Sequence, residues 1–360
     1  MGLSAELFPR SLQSAPDMLR GRSTARPIAV ADHPGAVPER LLAVRDLTIG
    51  NGAVTLVSQV SLEVHRGETL CLVGESGCGK SLTCLATLGL LPGALGVESG
   101  DIRLFDVPVQ GASEATLNRI RGGRAAMIFQ DPTVSLNPVQ RVGRQITEAI
   151  RIHEPAVGRG AAERRAIELL DRVGIVEPAR RMRSYPHELS GGMCQRVMIA
   201  MALACNPELL IADEPTTALD VTIQAQILAL LKELQRATGM ALLLVTHDLG
   251  VVAETADRVA VMYAGRLVET APVDALFERP RHPYTRALLE CRTRARPEAG
   301  GRNTRLPTIE GTVPDPARRP AGCAFAPRCE CAQARCRVEE PRLAATGPGA
   351  RAACHFPAAI

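Results

Sequence analysis

The 360-residue chain contains almost no lysine, although it is rich in positive charge. Of its 42 basic residues only Lys80 and Lys232 are lysine, and the other 40 are arginine. Lysine carries a compact ammonium group and arginine a planar guanidinium, so the two are not interchangeable in a tight site. A lysine at a ligand-binding position of such a chain fits a need for the compact ammonium group.

Long apolar segments are also missing. No apolar run approaches the roughly 20 residues that a membrane-spanning helix needs. The first residues include Arg10 and Asp17 and no apolar stretch of a secretory signal, so we expect a cytosolic protein. Residues 1–40 hold five prolines without sustained periodicity and are predicted to form a flexible tail.

A concentrated basic surface is not evident either. The formal net charge is only +4, and the arginines are interleaved with acidic residues. This pattern argues against a nucleic-acid partner, because such proteins cluster their basic residues on one face. A hydrophobic content of 46% is sufficient for a large globular core.

The glycine-rich segment at residues 74–81 is typical of a phosphate-binding loop and is called the phosphate loop below. It reads Gly-Glu-Ser-Gly-Cys-Gly-Lys-Ser, between a predicted buried strand at residues 70–73 and a predicted helix at residues 82–90. Such a turn directs backbone N–H groups and the positive end of the helix at one point, where phosphate binds. The alternative is a chance glycine-rich turn, which the flanking strand and helix disfavour.

Individual loop residues have distinct expected roles. Gly74, Gly77 and Gly79 let the backbone approach the phosphates closely. Lys80 is expected at the β- and γ-phosphates, and the Ser81 hydroxyl on Mg²⁺. The predicted nucleotide-binding residues are Gly74, Glu75, Ser76, Gly77, Cys78, Gly79, Lys80, Ser81 and Leu82.

A second apolar segment ends in two acidic residues. Residues 208–214 read Glu-Leu-Leu-Ile-Ala-Asp-Glu, which predicts a buried strand that brings Asp213 and Glu214 to the ligand-binding edge of a parallel sheet. Asp213 is expected to hold Mg²⁺, and Glu214 to polarise an attacking water. Adjacent carboxylates usually mark a solvated turn, but these follow four apolar residues.

Two more predicted strands end in polar side chains. Residues 240–246 are followed by His247, and residues 125–129 by Gln130. A single histidine after a strand is often structural, but its position at the same sheet edge favours a role in the site. Gln130 can reach Mg²⁺ or the water. The predicted catalytic residues are Lys80, Gln130, Glu214 and His247, and the predicted Mg²⁺ ligands are Ser81, Gln130 and Asp213.

With the segment Leu-Ser-Gly-Gly-Met at residues 189–193, the motif set resembles the ATP-binding cassette (ABC) ATPase family. The motifs occur in the family's order within residues 41–275. The resemblance implies an α/β fold with a P-loop NTPase core of the RecA-like type, an antiparallel β subdomain, and a helical subdomain at about residues 131–205. It also implies ATP and Mg²⁺ as ligands.

The resemblance further implies that two nucleotide domains enclose each ATP between them. The residues expected to cap the partner's nucleotide are Ser190, Gly191, Gly192 and Gln195. Asp220 is assigned to the loop that crosses the dimer seam, His247 to the γ-phosphate, and Gln130 to coupling with the membrane partner. Because only one phosphate loop is present, the second domain is expected from another chain.

One feature of the family is missing. Its members usually stack adenine on an aromatic side chain of an early strand. Here no Phe, Tyr or Trp lies between Phe8 and Phe105, and Ile49 lies near the expected place. Stacking of a base on an aromatic ring is worth about 1–3 kcal/mol. We therefore expect weak adenine affinity and loose base selectivity.

Residues 276–360 resemble the C-terminal extension of the oligopeptide/dipeptide importer subgroup of ABC ATPases. The similarity rests on Arg-His-Pro-Tyr-Thr-Arg-Ala-Leu-Leu at residues 281–289 and Gly-Cys-Ala-Phe-Ala-Pro-Arg-Cys at residues 322–329. It implies an importer of peptides, or of nickel, glutathione or an oligosaccharide. The implied partners are a second, paralogous ATPase subunit, two transmembrane permease subunits and an extracytoplasmic substrate-binding protein. The chain is then expected on the cytoplasmic face of the membrane, as a peripheral subunit.

Cysteines are concentrated in this extension. The intervals between Cys323, Cys329, Cys336 and Cys354 are five, six and 17 residues, which fits zinc poorly. The subgroup resemblance implies a four-iron four-sulfur cluster on these four cysteines. Zinc and unliganded thiols are the alternatives, and Cys331 is expected to be a free thiol or an alternative ligand. Two further cysteines, at positions 78 and 194, lie inside the nucleotide motifs and are interpreted as small residues that happen to be cysteine, with a redox switch as the alternative.

Two rival functions are disfavoured by the sequence. A soluble ABC ATPase that acts on DNA or ribosomes would carry a long coiled-coil insertion before the Leu-Ser-Gly-Gly-Met segment or a second cassette, and neither is present. A regulatory module without hydrolysis would have altered Glu214 or His247, and both are intact. The transported solute stays open.

Overall fold

The computed structural model describes residues 39–216, 219–294 and 309–357. The predicted flexible tail lies outside the described residues except for its last two positions, as does most of the Pro/Gly/Arg-rich stretch after residue 294. The strands, in chain order, are β1 (Arg40–Gly50), β2 (Thr55–His65), β3 (Thr69–Val73), β4 (Gly96–Leu104), β5 (Val107–Pro108), β6 (Ala125–Ile128), β7 (Leu209–Asp213), β8 (Ala241–Val245), β9 (Arg258–Tyr263), β10 (Arg266–Pro272), β11 (Ala344–Gly347) and β12 (Ala350–Ala352).

The helices connect these strands and form a separate cluster between β6 and β7. They are α1 (Lys80–Thr87), α2 (Glu114–Ile120), α3 (Pro132–Ser135), α4 (Val142–His153), α5 (Arg159–Arg172), α6 (Pro178–Arg181), α7 (Gly191–Ala202), α8 (Val221–Thr238), α9 (Leu249–Thr255), α10 (Val273–Glu278), α11 (Pro283–Arg294) and α12 (Ala334–Val338). Short 3-10 helices cover Pro186–Glu188, Pro316–Arg318 and Ala326–Arg328.

The main sheet has eight strands in the order β11-β12-β10-β9-β3-β8-β7-β6. Strands β9, β3, β8, β7 and β6 run parallel to one another, whereas β10 is antiparallel to β9. All five residues of β3, β7 and β8 are buried. Burial on both faces explains their continuous apolar runs, since each buried Leu, Ile or Val side chain contributes about 1.5–3 kcal/mol.

A second, antiparallel sheet has the order β2-β1-β4-β5. Its inward side chains include Val57, Val60, Leu62 and Val64, which follow the alternation of β2 except at Gln59, a residue with φ of 52°. These side chains share one hydrophobic core with Leu70 and Leu72 of β3. The fold is therefore the predicted α/β core with an antiparallel β subdomain.

Helices α3 to α7 occupy the region at residues 131–205 that was predicted to be helical. Their apolar faces pack in one core with buried residues of β7 and β8, such as Leu210 and Leu244. Helix α8 buries Ile227, Leu228, Leu231 and Leu234 on one face, and Gly239 ends it with a φ of 69°.

The C-terminal extension is continuous with the main sheet. Strand β12 pairs with β10 in antiparallel register, with Glu269 opposite Ala352 and Thr270 opposite Arg351. Strand β11 then pairs with β12 at the edge. Among the helices of the described residues, none has both the length and the apolar composition needed to span a bilayer.

Candidate active site

The polar residues predicted from four separate strands meet at one edge of the main sheet. Strands β3, β8, β7 and β6 are adjacent and parallel, so their C-terminal ends lie side by side. In the order β3, β8, β7 and β6, the strand ends at this edge carry the phosphate loop, His247, the Asp213–Glu214 pair and Gln130. Parallel strands in open α/β folds bind ligands at this edge.

The phosphate loop requires glycine for two different reasons. A Cβ on Gly74 would overlap the main-chain carbonyl oxygen of Met262 in β9, so the strand leaves no room for a side chain there. At Gly77 the space is open, but φ is 76°, a conformation that residues with a Cβ rarely adopt. The loop therefore passes close to β9 at Gly74 and takes a left-handed backbone conformation at Gly77.

Helix α1 begins at Lys80, two residues before its predicted start, because Gly79 takes the N-cap position with φ 101°. No side chain caps this helix end. The first N–H groups of a helix lack intrahelical partners, so those at the start of α1 can bind an anion. This geometry suits the phosphates of a nucleotide.

Lys80 lies over the loop that precedes it. Its side chain is only 6% exposed, and its Nζ donates to the carbonyl oxygens of Gly74 at 2.8 Å and Glu75 at 2.9 Å. The Cys78 Sγ lies 3.7 Å from the same nitrogen. These contacts hold the ammonium group inside the phosphate loop, where a triphosphate needs positive charge.

Asp213 and Ser81 have the chemistry of an Mg²⁺ site. Asp213 is 4% exposed, and burial raises the pKa of its carboxyl group, while the Ser81 hydroxyl bonded to it acts in the opposite direction. Its Oδ1 atom is buried and has no hydrogen-bond partner among the described residues. Mg²⁺ prefers such hard oxygen ligands, so these two residues fit the ion.

Glu214 lies among the other predicted catalytic side chains. Its Oε2 atom is 3.5 Å from Nδ1 of His247 and accepts from Nε2 of Gln130 at 3.4 Å. Its φ is 49°, and its N–H donates to the Val245 carbonyl of β8 at 3.0 Å. A left-handed conformation at a residue other than glycine costs on the order of 1–3 kcal/mol and is frequent at active sites.

The segment at residues 189–193 places Ser190 and Gly191 on the surface at the start of α7. Ser190 is the N-cap, and its Oγ accepts from the Met193 N–H at 3.3 Å. Gln195 does not share this exposed face. Its side chain is 1% exposed, and its Nε2 donates to the Pro215 carbonyl at 2.6 Å. Gln195 therefore connects α7 to the turn after Glu214 inside the molecule.

Asp220 caps the next helix. It is the N-cap of α8, and its Oδ1 accepts from the Ile223 N–H at 3.0 Å. Residues 217 and 218, which precede it in the same loop, lie outside the described part of the chain. Its assignment to a dimer seam stays a prediction.

The expected position of an adenine-stacking side chain is occupied by a core residue. Ile49 is fully buried in β1 and offers no face to a base. We expect ATP to be preferred over GTP by less than about tenfold, because a missing stacking contact of about 1–3 kcal/mol weakens base recognition. Competitive titration of the purified protein with both nucleotides measures this ratio. A preference of a hundredfold or more would contradict the prediction.

Two functional contacts of the phosphate loop were missed by sequence reasoning. The Tyr284 hydroxyl accepts from the Glu75 N–H at 2.9 Å, and the Arg328 guanidinium bonds the Glu75 carboxylate. Both partners belong to the C-terminal extension, more than 200 residues away in sequence. The sequence contains no local signal for such contacts.

The prediction of a four-iron four-sulfur cluster is wrong. Cys323, Cys329, Cys331, Cys336 and Cys354 do line one cavity, but its volume is about 20 Å³, close to the space of a single water. Within the described residues, no group of three or more His, Cys, Asp or Glu side chains has an arrangement that could hold a metal ion. The spacing of cysteines in sequence did not determine how their sulfur atoms converge.

The five cysteines of this cavity are buried or half-buried. All five are free cysteines. Burial raises the pKa of Cys323 and of Cys354, and raises that of Cys329 to about 11. Cys323 and Cys329 pack against the hydrophobic core that contains Phe325.

Comparison with known proteins identifies the family. The ABC transporter family model matches residues 57–217, and the model of the oligopeptide/dipeptide transporter C-terminal region matches residues 268–336. A probable peptide ABC transporter ATP-binding protein of Sinorhizobium fredii is 53% identical over 319 residues, which cover 87% of this chain and 94% of that protein. The dipeptide transport ATP-binding protein DppD of Escherichia coli is 52% identical over 303 residues, 84% of this chain and 90% of that protein.

Solved structures agree with the sequence relatives. A dimeric ATP-binding cassette in a post-hydrolysis state, bound to ADP and Pi, is similar with a TM-score of 0.58 and 26% identity. The match covers 64% of this chain and 98% of that one. The chain therefore belongs to the ABC transporter ATPase family, and it carries the C-terminal region of the oligopeptide/dipeptide transporters.

Proposed function

We propose that this chain is the ATP-hydrolysing subunit of an importer that carries peptides across the cytoplasmic membrane. The observation that carries the proposal is the cluster at the sheet edge, where Lys80, Asp213 and Glu214 lie with His247 and Gln130. The names of the relatives, which describe peptide and dipeptide transport, support the choice of cargo.

Each residue of the cluster has a chemical role that follows from its surroundings. Lys80 offsets negative charge on the phosphates, because its ammonium is already held over the loop. Glu214 accepts the proton of the attacking water, while His247 and Gln130 hold its carboxylate in place. Mg²⁺, held by Asp213 and Ser81, supplies charge neutralisation at the phosphates when bound.

The exposed start of α7 supports a second nucleotide domain as partner. Ser190 and Gly191 present hydroxyl and backbone N–H groups on the surface, away from the chain's own phosphate loop in sequence and in fold. In our proposal these groups cap a nucleotide held by a paralogous subunit, and Asp220 lies at the seam. The assembly also contains two permease subunits and an external substrate-binding protein, with this chain peripheral on the cytoplasmic face.

An arginine-lined groove is a suitable docking surface for a permease segment with acidic side chains. The groove has a volume of about 760 Å³ on helices α4 to α6, and its basic residues are Arg141, Arg144, Arg151, Arg159 and Arg183. The chain between Gln130 and this groove is held by Gln145, whose side chain makes three hydrogen bonds to Asn137 and Gln140. These bonds join the segment after Gln130 to α4, which carries part of the groove.

Reconstitution tests the transport function. The chain, co-expressed with candidate permease and ATPase partners, is expected to co-purify with two membrane proteins and to drive ATP-dependent uptake of di- or oligopeptides into vesicles. Reversing the groove charge with Arg144→Glu and Arg151→Glu should abolish co-purification, because it removes the complementary charge. Arg236→Glu, an exposed arginine of α8 outside the groove, is the matched control.

The outcomes separate the parts of the proposal. Uptake of nickel, glutathione or an oligosaccharide, with no uptake of peptide, would reassign the cargo. ATP hydrolysis without any membrane partner or uptake would reject the importer and favour a soluble ATPase.

A further inference from the structure

Three groups of Glu75, in the phosphate loop, form hydrogen bonds: its carboxylate, its N–H and its carbonyl. Its carboxylate pairs with Arg328, its N–H donates to the Tyr284 hydroxyl, and its carbonyl accepts from the Lys80 ammonium at 2.9 Å. The first two partners belong to the C-terminal extension. Glu75 is therefore held by two residues of the C-terminal extension and also by the catalytic lysine, Lys80.

The Arg328 side chain uses all of its hydrogen-bonding capacity at this point. It is 6% exposed, and its two terminal nitrogens bond the two Glu75 carboxylate oxygens at 2.7 and 3.0 Å. The same guanidinium donates to the Tyr263 hydroxyl at 3.3 Å and to the carbonyls of Ile309 and Glu310 at 3.0 and 2.9 Å. Five N–H groups thus meet five acceptors, and a bidentate pair of this kind fixes both position and orientation.

Tyr284 is held in place by the packing of its ring. Its ring is fully buried and lies 4.6 Å from the ring of Tyr263 in β9 and 5.4 Å from that of Phe325 in the extension. Phe325 in turn meets Tyr263 edge to face at 5.3 Å. Three of the nine aromatic residues of the chain therefore belong to this one cluster.

The extension can act as a rigid support because it is anchored to the main sheet. Glu269 of β10 is buried and accepts from the N–H groups of Arg281 and His282, just before α11, at 2.7 and 2.9 Å. Strand β12 pairs with the same residue of β10. Helix α11, which carries Tyr284, is thus tied to the sheet that also carries the phosphate loop.

We propose that the C-terminal extension positions the phosphate loop for nucleotide binding, with Arg328 and Tyr284 as positioning residues that act through Glu75. The inference rests on the proposed nucleotide function and adds a role for the extension within it. Arg328 does two things in this arrangement. It orients the loop, and it neutralises a carboxylate that would otherwise repel the phosphates. Tyr284 fixes the backbone of the loop by accepting its N–H.

Four variants of the full chain test the proposal by affinity for a fluorescent, slowly hydrolysed ATP analogue with Mg²⁺. Arg328→Ala is expected to raise the dissociation constant at least tenfold, because it leaves the Glu75 carboxylate unpaired. Glu75→Gln in that background should recover only part of the affinity, because it removes the repelling charge but does not restore the orientation of the loop. Tyr284→Phe keeps the ring and removes only the acceptor, so about a fivefold increase is expected. Arg335→Ala, which breaks the extension's exposed pair with Glu339, should change nothing.

Hydrogen exchange without nucleotide supplies an independent readout. Amides of residues 74–80 are expected to exchange faster in Arg328→Ala and Tyr284→Phe than in the wild type or in Arg335→Ala. Unchanged loop exchange and unchanged affinity in both folded variants would overturn the proposal. If Arg328→Ala does not fold, Tyr284→Phe and Arg328→Lys decide the question, since lysine keeps the charge but loses the bidentate geometry. A wild-type protein that fails to bind the analogue would reject the nucleotide function instead.

Discussion

Replacing Glu214 with glutamine is expected to reduce steady phosphate release at least a hundredfold and to leave nucleotide affinity nearly unchanged. Glutamine keeps the size of the side chain and its contacts with His247 and Gln130, but it does not accept a proton from water. General bases contribute on the order of 10²–10⁴ in rate. Release of phosphate by the reconstituted assembly, measured with saturating ATP and Mg²⁺, checks this result.

The control for this variant is Glu254→Gln, an exposed carboxylate of α9 away from the sheet edge. It should hydrolyse ATP at the wild-type rate. Hydrolysis by Glu214→Gln at more than about a tenth of the wild-type rate would mean that another group activates the water. Loss of nucleotide binding in Glu214→Gln would instead indicate that this left-handed residue shapes the loop around Asp213.

Replacing Lys80 with arginine is expected to lower hydrolysis at least a hundredfold, despite the retained charge. The ammonium fits between two carbonyl oxygens and the Cys78 sulfur in a site that is 6% exposed. A guanidinium is planar and larger, so it cannot take the same place without moving the loop. Removal of a single charge-stabilising group commonly costs 10²–10³ in turnover, roughly the loss expected here.

The second lysine supplies a matched control. Lys232 of α8 donates to the main-chain carbonyl of Glu254 and lies far from the phosphate loop in sequence and fold. Lys232→Arg should therefore hydrolyse ATP normally. If Lys80→Arg is as active as Lys232→Arg, the near absence of lysine from this chain carries no information about the site.

The convergence of the site could be predicted because it follows from local patterns. Each of the four strands is a short apolar run in the sequence. The first is followed by the phosphate loop, and the other three are followed by polar residues such as Glu214 or His247. Once these strands are assigned to one parallel sheet, their ends must share an edge. No contact between distant residues had to be guessed.

The remaining contacts could not be predicted because their partners are unrelated in local sequence. Glu75 and Arg328 are 253 positions apart, and their pairing depends on how α11 and the last strands fold back. Gln195 stands in a polar, glycine-rich segment that suggested exposure, but the helical period turns it inward toward Pro215. The cysteine spacing was equally uninformative, since side-chain direction decides whether sulfur atoms form a ligand set.

The pairing of β12 with β10 has a consequence for the solubility of shortened forms. Without the last strands, β10 would present unpaired backbone N–H and carbonyl groups at the margin of an otherwise buried sheet. Such open margins recruit strands from other molecules and favour aggregation. The terminal segment therefore protects the edge of the sheet and also contacts the phosphate loop. Removing it is expected to make the rest of the chain prone to aggregation.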